Sequence, residues 1–312
     1  MGSIGESLNS LAMIFLMIVP GIICAKAKVL TSEQTGGINS LVANVTWPCL
    51  VVDAMQIDFS VTMLKQCGYS MIIMIIVFAA ALGLAVLLGR CMSMKKQQSY
   101  IMTFMLIFAN TGFMGIPVIN ALYGKEAVFY ASIVEMVNDI FMFTVGIMLI
   151  QIAAGTAKKM ELRSLLSPGM FGVIIGFLLF LFDIRLPGFL GRSVNLIGAA
   201  TTPLSMIVIG LQVGQQSIRQ LVGDIRMYVM SFMKLIVIPL IVFVIMIFIL
   251  HDTSMLAKVL ILEFAMPVAA CTVIFSAQYK ADVAFATRGV LLSTVLSIIT
   301  IPLFTILLSI AA

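Results

Sequence analysis

Asn110-Thr111-Gly112-Phe113-Met114-Gly115-Ile116-Pro117 lies in the middle of an apolar stretch running from about Tyr100 to Leu122. A lone strand cannot cross a bilayer, because its backbone groups would go unpaired in lipid, so such a stretch crosses as a helix. Yet Gly112, Gly115 and Pro117 are poor helix residues, and Pro117 removes a backbone donor where lipid offers no replacement. The sequence therefore predicts an interrupted helix over Asn110–Pro117, with the break buried in protein or lining a wet cavity. A simple proline kink is the alternative for this stretch taken alone. Discontinuous helices at mid-membrane are where secondary transporters hold substrates and ions.

The rest of the chain reads as an integral membrane protein. Of its 312 residues, 62% are hydrophobic and 10% charged, against about 25% charged in a soluble domain; the mean hydropathy is +1.19. The net charge of +5 does not point to nucleic acid, because the basic residues lie in short connections between apolar runs. Cys24, Cys49, Cys67, Cys91 and Cys271 form no CxxC pair and read as small hydrophobic residues. His251 is the single histidine, which argues against a histidine metal centre, and no P-loop motif occurs. No metal and no organic cofactor are expected. The first apolar run lacks a preceding basic region and does not read as a signal peptide.

Ten apolar runs are long enough to cross about 30 Å at about 1.5 Å per residue. They lie at roughly 8–25, 38–56, 67–90, 98–122, 126–153, 165–183, 188–212, 226–250, 256–278 and 283–311. Connections are short, and the longest polar stretch is around 155–167. Connections after the odd-numbered helices, with the start of the next helix, hold twelve basic residues (Lys26, Lys28, Arg90, Lys95, Lys96, Lys158, Lys159, Arg163, Arg219, Arg226, Lys280, Arg288) against five in the other connections, and Lys234 lies within helix 8. By the positive-inside rule both termini are extracytoplasmic, in a multi-pass protein of the cell membrane.

The chain also repeats itself. Ala121-Leu122-Tyr123-Gly124-Lys125-Glu126 resembles Ala277-Gln278-Tyr279-Lys280-Ala281-Asp282 at a separation of 156, and Trp47-Pro48 and Thr202-Pro203 lie 155 apart. The same offset carries Asn110-Thr111-Gly112 onto Met266-Pro267-Val268, where helix 9 is expected to break. Each half, 1–155 and 156–312, then holds five helices, and an odd number inverts the second half relative to the first. The expected fold is all-α: two inverted five-helix repeats whose broken helices 4 and 9 cross.

At such a crossing, the second half-helices present unpaired N–H groups and a positive partial charge, which suits a carboxylate. Asn110, Thr111, Gly112 and Pro117 mark one break, and Met266, Pro267 and Thr272 the other. Glu135 and Asp139 share a helix face at mid-depth with Asn138 beside them, and Glu263 precedes Met266-Pro267. Membrane-embedded acids at those places suggest a proton or Na⁺ relay. The bland alternatives are acids facing bundle water, and Glu263 capping freed N–H groups. Lys234 is either a counter-ion for the anion or the acids, or a stem that snorkels toward the cytoplasmic face. Asp53 and Asp58 read as solvated loop acids.

The stretch Asn110-Thr-Gly-Phe-Met-Gly-Ile-Pro-Val-Ile-Asn-Ala-Leu-Tyr-Gly124 resembles the helix 4 signature of the auxin efflux carrier family, which includes plant PIN carriers and bacterial permeases for malate and malonate. Ala265-Met-Pro267, Tyr279 and Leu291-Leu-Ser-Thr294 look like its helix 9–10 region; Ala200–Leu211 and Lys234–Pro239 resemble its helices 7 and 8. The resemblance implies a fold like that of bile-acid symporters and sodium/proton antiporters. It also implies a scaffold of helices 1, 2, 6 and 7 forming a homodimer surface, and a mobile core of helices 3–5 and 8–10. Substrate would bind at the crossover and move by an elevator motion. Plant members often carry amides near the positions of Glu135 and Glu263, so acids here leave ion coupling open. The expected function is secondary transport of a small organic anion, such as malate, malonate or an auxin-like acid. The alternative is a transporter-like sensor that binds a ligand without net transport. An intramembrane enzyme is disfavoured, since no catalytic set appears.

Overall fold

The computed structural model describes residues 4–92, 94–156, 168–216 and 224–311. Among them every regular element is helical, apart from one isolated bridge pair. Helix α1 (Ile4–Lys26) is followed by α2 (Ser32–Leu41), which passes through a π turn, Val42–Thr46, into α3 (Trp47–Ala54). Then come α4 (Val61–Cys91), α5 (Lys96–Ile107), α6 (Thr111–Tyr123), α7 (Lys125–Ala153) and α8 (Pro168–Leu181). The chain ends with α9 (Gly188–Gly214), α10 (Ile225–Ile249), α11 (Met255–Ala265), α12 (Cys271–Gln278) and α13 (Val283–Ala311).

Six of these (α1, α4, α7, α9, α10 and α13) are long and apolar enough to cross a membrane, and α6 and α8 are shorter apolar helices. Helical residues occupy each of the ten apolar runs. The fourth and ninth are split, into α5 and α6 and into α11 and α12. α7 and α13 have the same length, 29 residues. Lys158, Lys159, Arg163 and Arg219, which enter the charge count above, lie outside the described residues.

Local signals explain where the helices start. Thr31 and Gln34 form a reciprocal capping box ahead of α2. Ser254 accepts from the Ala257 N–H to begin α11, and Asp224 accepts from the Arg226 N–H to begin α10.

The chain forms two compact units. The first comprises Met1–Gly68, Gly112–Met136 and Leu165–Ser217. Within it α1 and α9 touch backbone to backbone: a Cβ built on Gly210 would lie 2.1 Å from the Ile18 carbonyl oxygen, and one on Gly21 2.2 Å from that of Ile207. Small residues let membrane helices approach this closely, where lipid supplies no hydrophobic drive. Asp53 in this unit is not a solvated loop acid. It is 8% exposed, pairs with Lys125 Nζ at 2.6 Å and accepts from Asn195 Nδ2 at 2.9 Å. The ammonium and the amide replace the water that burial removes. Asp58, fully exposed, pairs with Arg185.

The second unit comprises Tyr69–Thr111, Val137–Ser164 and Ile218–Ala312. Its centre is aromatic: the Phe78 ring meets Phe108, Phe141 and Phe264 at centroid distances of 5.9, 5.3 and 5.9 Å, and Phe104 meets Phe108 at 4.8 Å. These rings fix the residues flanking both interruptions, Phe108 beside one and Phe264 beside the other. At one end of the unit Arg226 bonds Asp224 and Gln98, and Gln98 bonds Asp282, tying together the starts of α5, α10 and α13.

Candidate functional site

Two helices stop in mid-run within the second unit. α5 ends at Ile107 and helix resumes at Thr111; α11 ends at Ala265 and helix resumes at Cys271. The second gap follows from its sequence. Pro267 cannot donate, and it pushes the preceding residue out of the α region; Met266 accordingly has φ −68 and ψ 149.

The first gap, Phe108–Asn110, contains neither glycine nor proline, and this corrects the sequence reading, which spread the interruption over Asn110–Pro117. Thr111–Gly115 is instead a π turn, and Pro117 sits in the first turn of the α segment Ile116–Tyr123.

The first gap opens because it pairs with the second. Asn110 donates its backbone N–H to the Pro267 carbonyl at 2.8 Å, and Ala269 donates to the Phe108 carbonyl at 3.2 Å, making an antiparallel bridge between Ala109 and Val268. Each gap thereby supplies partners for backbone groups that the other leaves without helical ones. Val268 donates its own N–H to Ser293 Oγ at 3.1 Å, and Ser293 donates on to the Val290 carbonyl. Ser293 escaped sequence reading as a site residue; a hydroxyl inside a long apolar helix was the available signal.

The remaining predicted residues fall into place around this bridge or apart from it. Asn110, Thr111, Met266, Pro267 and Thr272 belong to the second unit and are all buried. Thr272 Oγ1 donates to the Ala269 carbonyl at 2.6 Å, so its hydroxyl braces the start of α12. Asn138 Nδ2 donates to Thr111 Oγ1 at 3.2 Å, linking α7 to the first residue of α6. Asp139 is buried one residue on. Gly112, Pro117 and Glu135 belong to the first unit. There the Glu135 carboxyl group lies against Gly112, so close that a Cβ on that glycine would stand 2.6 Å from Oε1. A carboxylate at the first turn of a helix is electrostatically favourable.

Lys234 does not snorkel. It is 0% exposed, and its Nζ donates to the carbonyls of Leu106 and Ile107 at 3.1 and 3.4 Å. These are among the last carbonyls of α5, which have no intrahelical donors and carry the negative end of the helix dipole. Glu263 lies at the corresponding end of α11, 1% exposed, with no hydrogen-bond donor of the described residues reaching either carboxylate oxygen. Of the two matching helix ends, one holds a built-in cation and the other a built-in acid.

Comparison with known proteins gives a consistent result. The profile of the membrane transport protein family matches residues 7–305. An uncharacterized transporter of Methanothermobacter thermautotrophicus is 25% identical over 314 residues, covering 99% of each chain. An uncharacterized transporter of Methanocaldococcus jannaschii is 24% identical over 226 residues, covering 71% of this chain and 72% of its own.

Proposed function

Because the chain belongs to the membrane transport protein family, the auxin efflux carrier family that its helix 4 motif resembles, we propose that it is a secondary transporter of a small organic anion, a mono- or dicarboxylate. On this reading ten spans form two inverted five-helix repeats, 1–155 and 156–312, with both termini outside. Helices 1, 2, 6 and 7 serve as scaffold and dimer surface, and the others as the moving core.

The observation that carries the reading is the bridge between Ala109 and Val268. Two interrupted helices that satisfy each other's backbone inside an apolar protein are an expensive arrangement without a ligand to serve. Broken helices of this kind are how transporters present backbone dipoles to substrates and ions. The anion is held at the gap by the Asn110 side chain, Thr111 and the start of α12 beyond Met266-Pro267. Glu263, with Asp139 and Asn138, handles the coupling ion, H⁺ or Na⁺. Glu135 adjusts the helix start at Gly112 in its own unit.

The test is flux of labelled malate, malonate and an aromatic acetate into proteoliposomes, with counterflow as the first readout. Exchange of one of these anions supports transport. Binding by thermal shift without any counterflow would move the assignment to a ligand sensor.

A further inference from the structure

Resting on the transporter reading above, we propose that the ion accompanying the anion is a proton and that Glu263 carries it. The juxtaposition behind this lies wholly within the second unit. α5 and α11 each end at a gap with carbonyls that lack helical donors. At α5 those carbonyls receive Lys234 Nζ. At α11 the resident group is Glu263, buried, with both carboxylate oxygens lacking a donor among the described residues.

An ionised carboxylate in that setting costs several kcal/mol, and adding a proton removes the cost. A metal cation needs several oxygens at once. A proton needs only the carboxyl group itself.

The charged groups to set beside Glu263 include Asp139, buried in the same unit. The elements packed against α11 are the π turn Met233–Val237, the segment Ile238–Phe243 of α10, and α13. Their charged side chains are Lys234 and Arg288, and Arg288 bonds back to the Ala284 carbonyl near the start of α13. α4 reaches α11 through Phe78 against Phe264, and within this unit it carries the ionisable residues Tyr69, Arg90 and Cys91. α11 itself carries Lys258. Lys234 alone among these cations is fully buried.

Charge balance then sets the coupling. With Glu263 protonated, the gap carries one negative charge fewer and favours a carboxylate nearby. With Glu263 ionised, its negative charge opposes the anion. One proton enters from water onto a Glu263 oxygen, crosses with one anion, and returns to water on the other side, with no other bond made or broken. A monocarboxylate is therefore carried without net charge, and a dicarboxylate dianion with one net negative charge.

The experiment uses the full-length protein in proteoliposomes, labelled malonate and an aromatic acetate as probes, and an internal pH dye. In the wild type, external acid should drive uptake at least tenfold above the level at equal pH. Na⁺ gradients should have no effect, and the dye should record acidification as anion enters. Glu263→Gln should still exchange anion, at a rate that no longer depends on pH, and should lose the acid-driven accumulation. Uptake driven by Na⁺, or wild-type acid-driven accumulation in Glu263→Gln, overturns the proposal. Should that variant fail to fold, anion entry into wild-type vesicles without dye acidification overturns it equally. Absence of counterflow in the wild type is a different failure, one that removes the transporter reading itself.

Discussion

Asn110 gives its backbone N–H to the carbonyl of Pro267 at 2.8 Å, joining the gap after α5 to the gap after α11. The bond uses only main-chain atoms, so the Asn110 side chain can be removed without opening it. Asn110→Ala should keep the wild-type melting temperature within a few degrees. It should weaken anion binding about ten- to hundredfold, the usual worth of a hydrogen bond to a charged group. Titration with labelled malonate beside a thermal melt checks both halves, and unchanged affinity removes the Asn110 side chain from the site.

Pro267 has two effects: it withholds a donor and it holds Met266 extended, at ψ 149. Pro267→Ala lifts both restrictions and lets α11 run on toward α12, closing the gap; Pro267→Gly lifts them but disfavours helix. Flux in proteoliposomes should therefore fall in the order wild type, Pro267→Gly, Pro267→Ala, with the alanine variant at least tenfold down. If alanine transports as well as glycine, the proline is not what keeps the helix open.

Proline made the gap after α11 legible in the sequence and misled at the gap after α5. The interruption before Thr111 is opened by pairing with residues more than 150 positions away, and no local composition marks Phe108–Asn110. Lys234 was visible as a membrane-embedded charge, but its partners lie 128 and 127 residues away. Asp53 looked like a loop acid because its partners, Lys125 and Asn195, come from distant parts of the sequence. Periodicity and hydropathy report which stretches are helical; which buried polar groups meet is decided by tertiary packing.

Lys234 caps two carbonyls at the end of α5 from complete burial. Lys234→Met keeps much of the volume and leaves both carbonyls without that donor, at a cost of about 1–3 kcal/mol each. The variant should unfold at clearly lower temperature or denaturant than the wild type, by on the order of 2–5 kcal/mol. A wild-type melting curve for Lys234→Met would mean that water replaces the cap and that the ammonium is free for another role.

Asp224, just ahead of α10, has its carboxyl held below the ordinary range chiefly by side-chain hydrogen bonds from Arg226, against the opposing effect of burial. A depressed carboxyl contributes stability that is fully present above the unfolded value near pH 3.9. It is lost as pH falls through the lower folded value. The melting-temperature gap between wild type and Asp224→Asn should therefore be constant from about pH 7 to 5 and shrink below about pH 4. A gap that stays the same at pH 3 would mean that the asparagine disturbs packing and that the Arg226 interaction is not its cause.

Gly112 leaves room for the Glu135 carboxyl group, which would stand 2.6 Å from an added Cβ. The clashing atom is the end of a flexible side chain, so Gly112→Ala should swing Glu135 aside while leaving the backbone in place. Replacing a helical glycine by alanine recovers about 0.5–1 kcal/mol, so the melting temperature should hold or rise slightly. Transport should nonetheless change, because Glu135 no longer lies against the helix start. Glu135→Gln should produce a similar change in the pH profile of flux, and the double variant should add little to either single one, since both act on the same contact. Additive effects in that cycle would place Glu135 and Gly112 in separate roles and remove the carboxyl group from the start of α6.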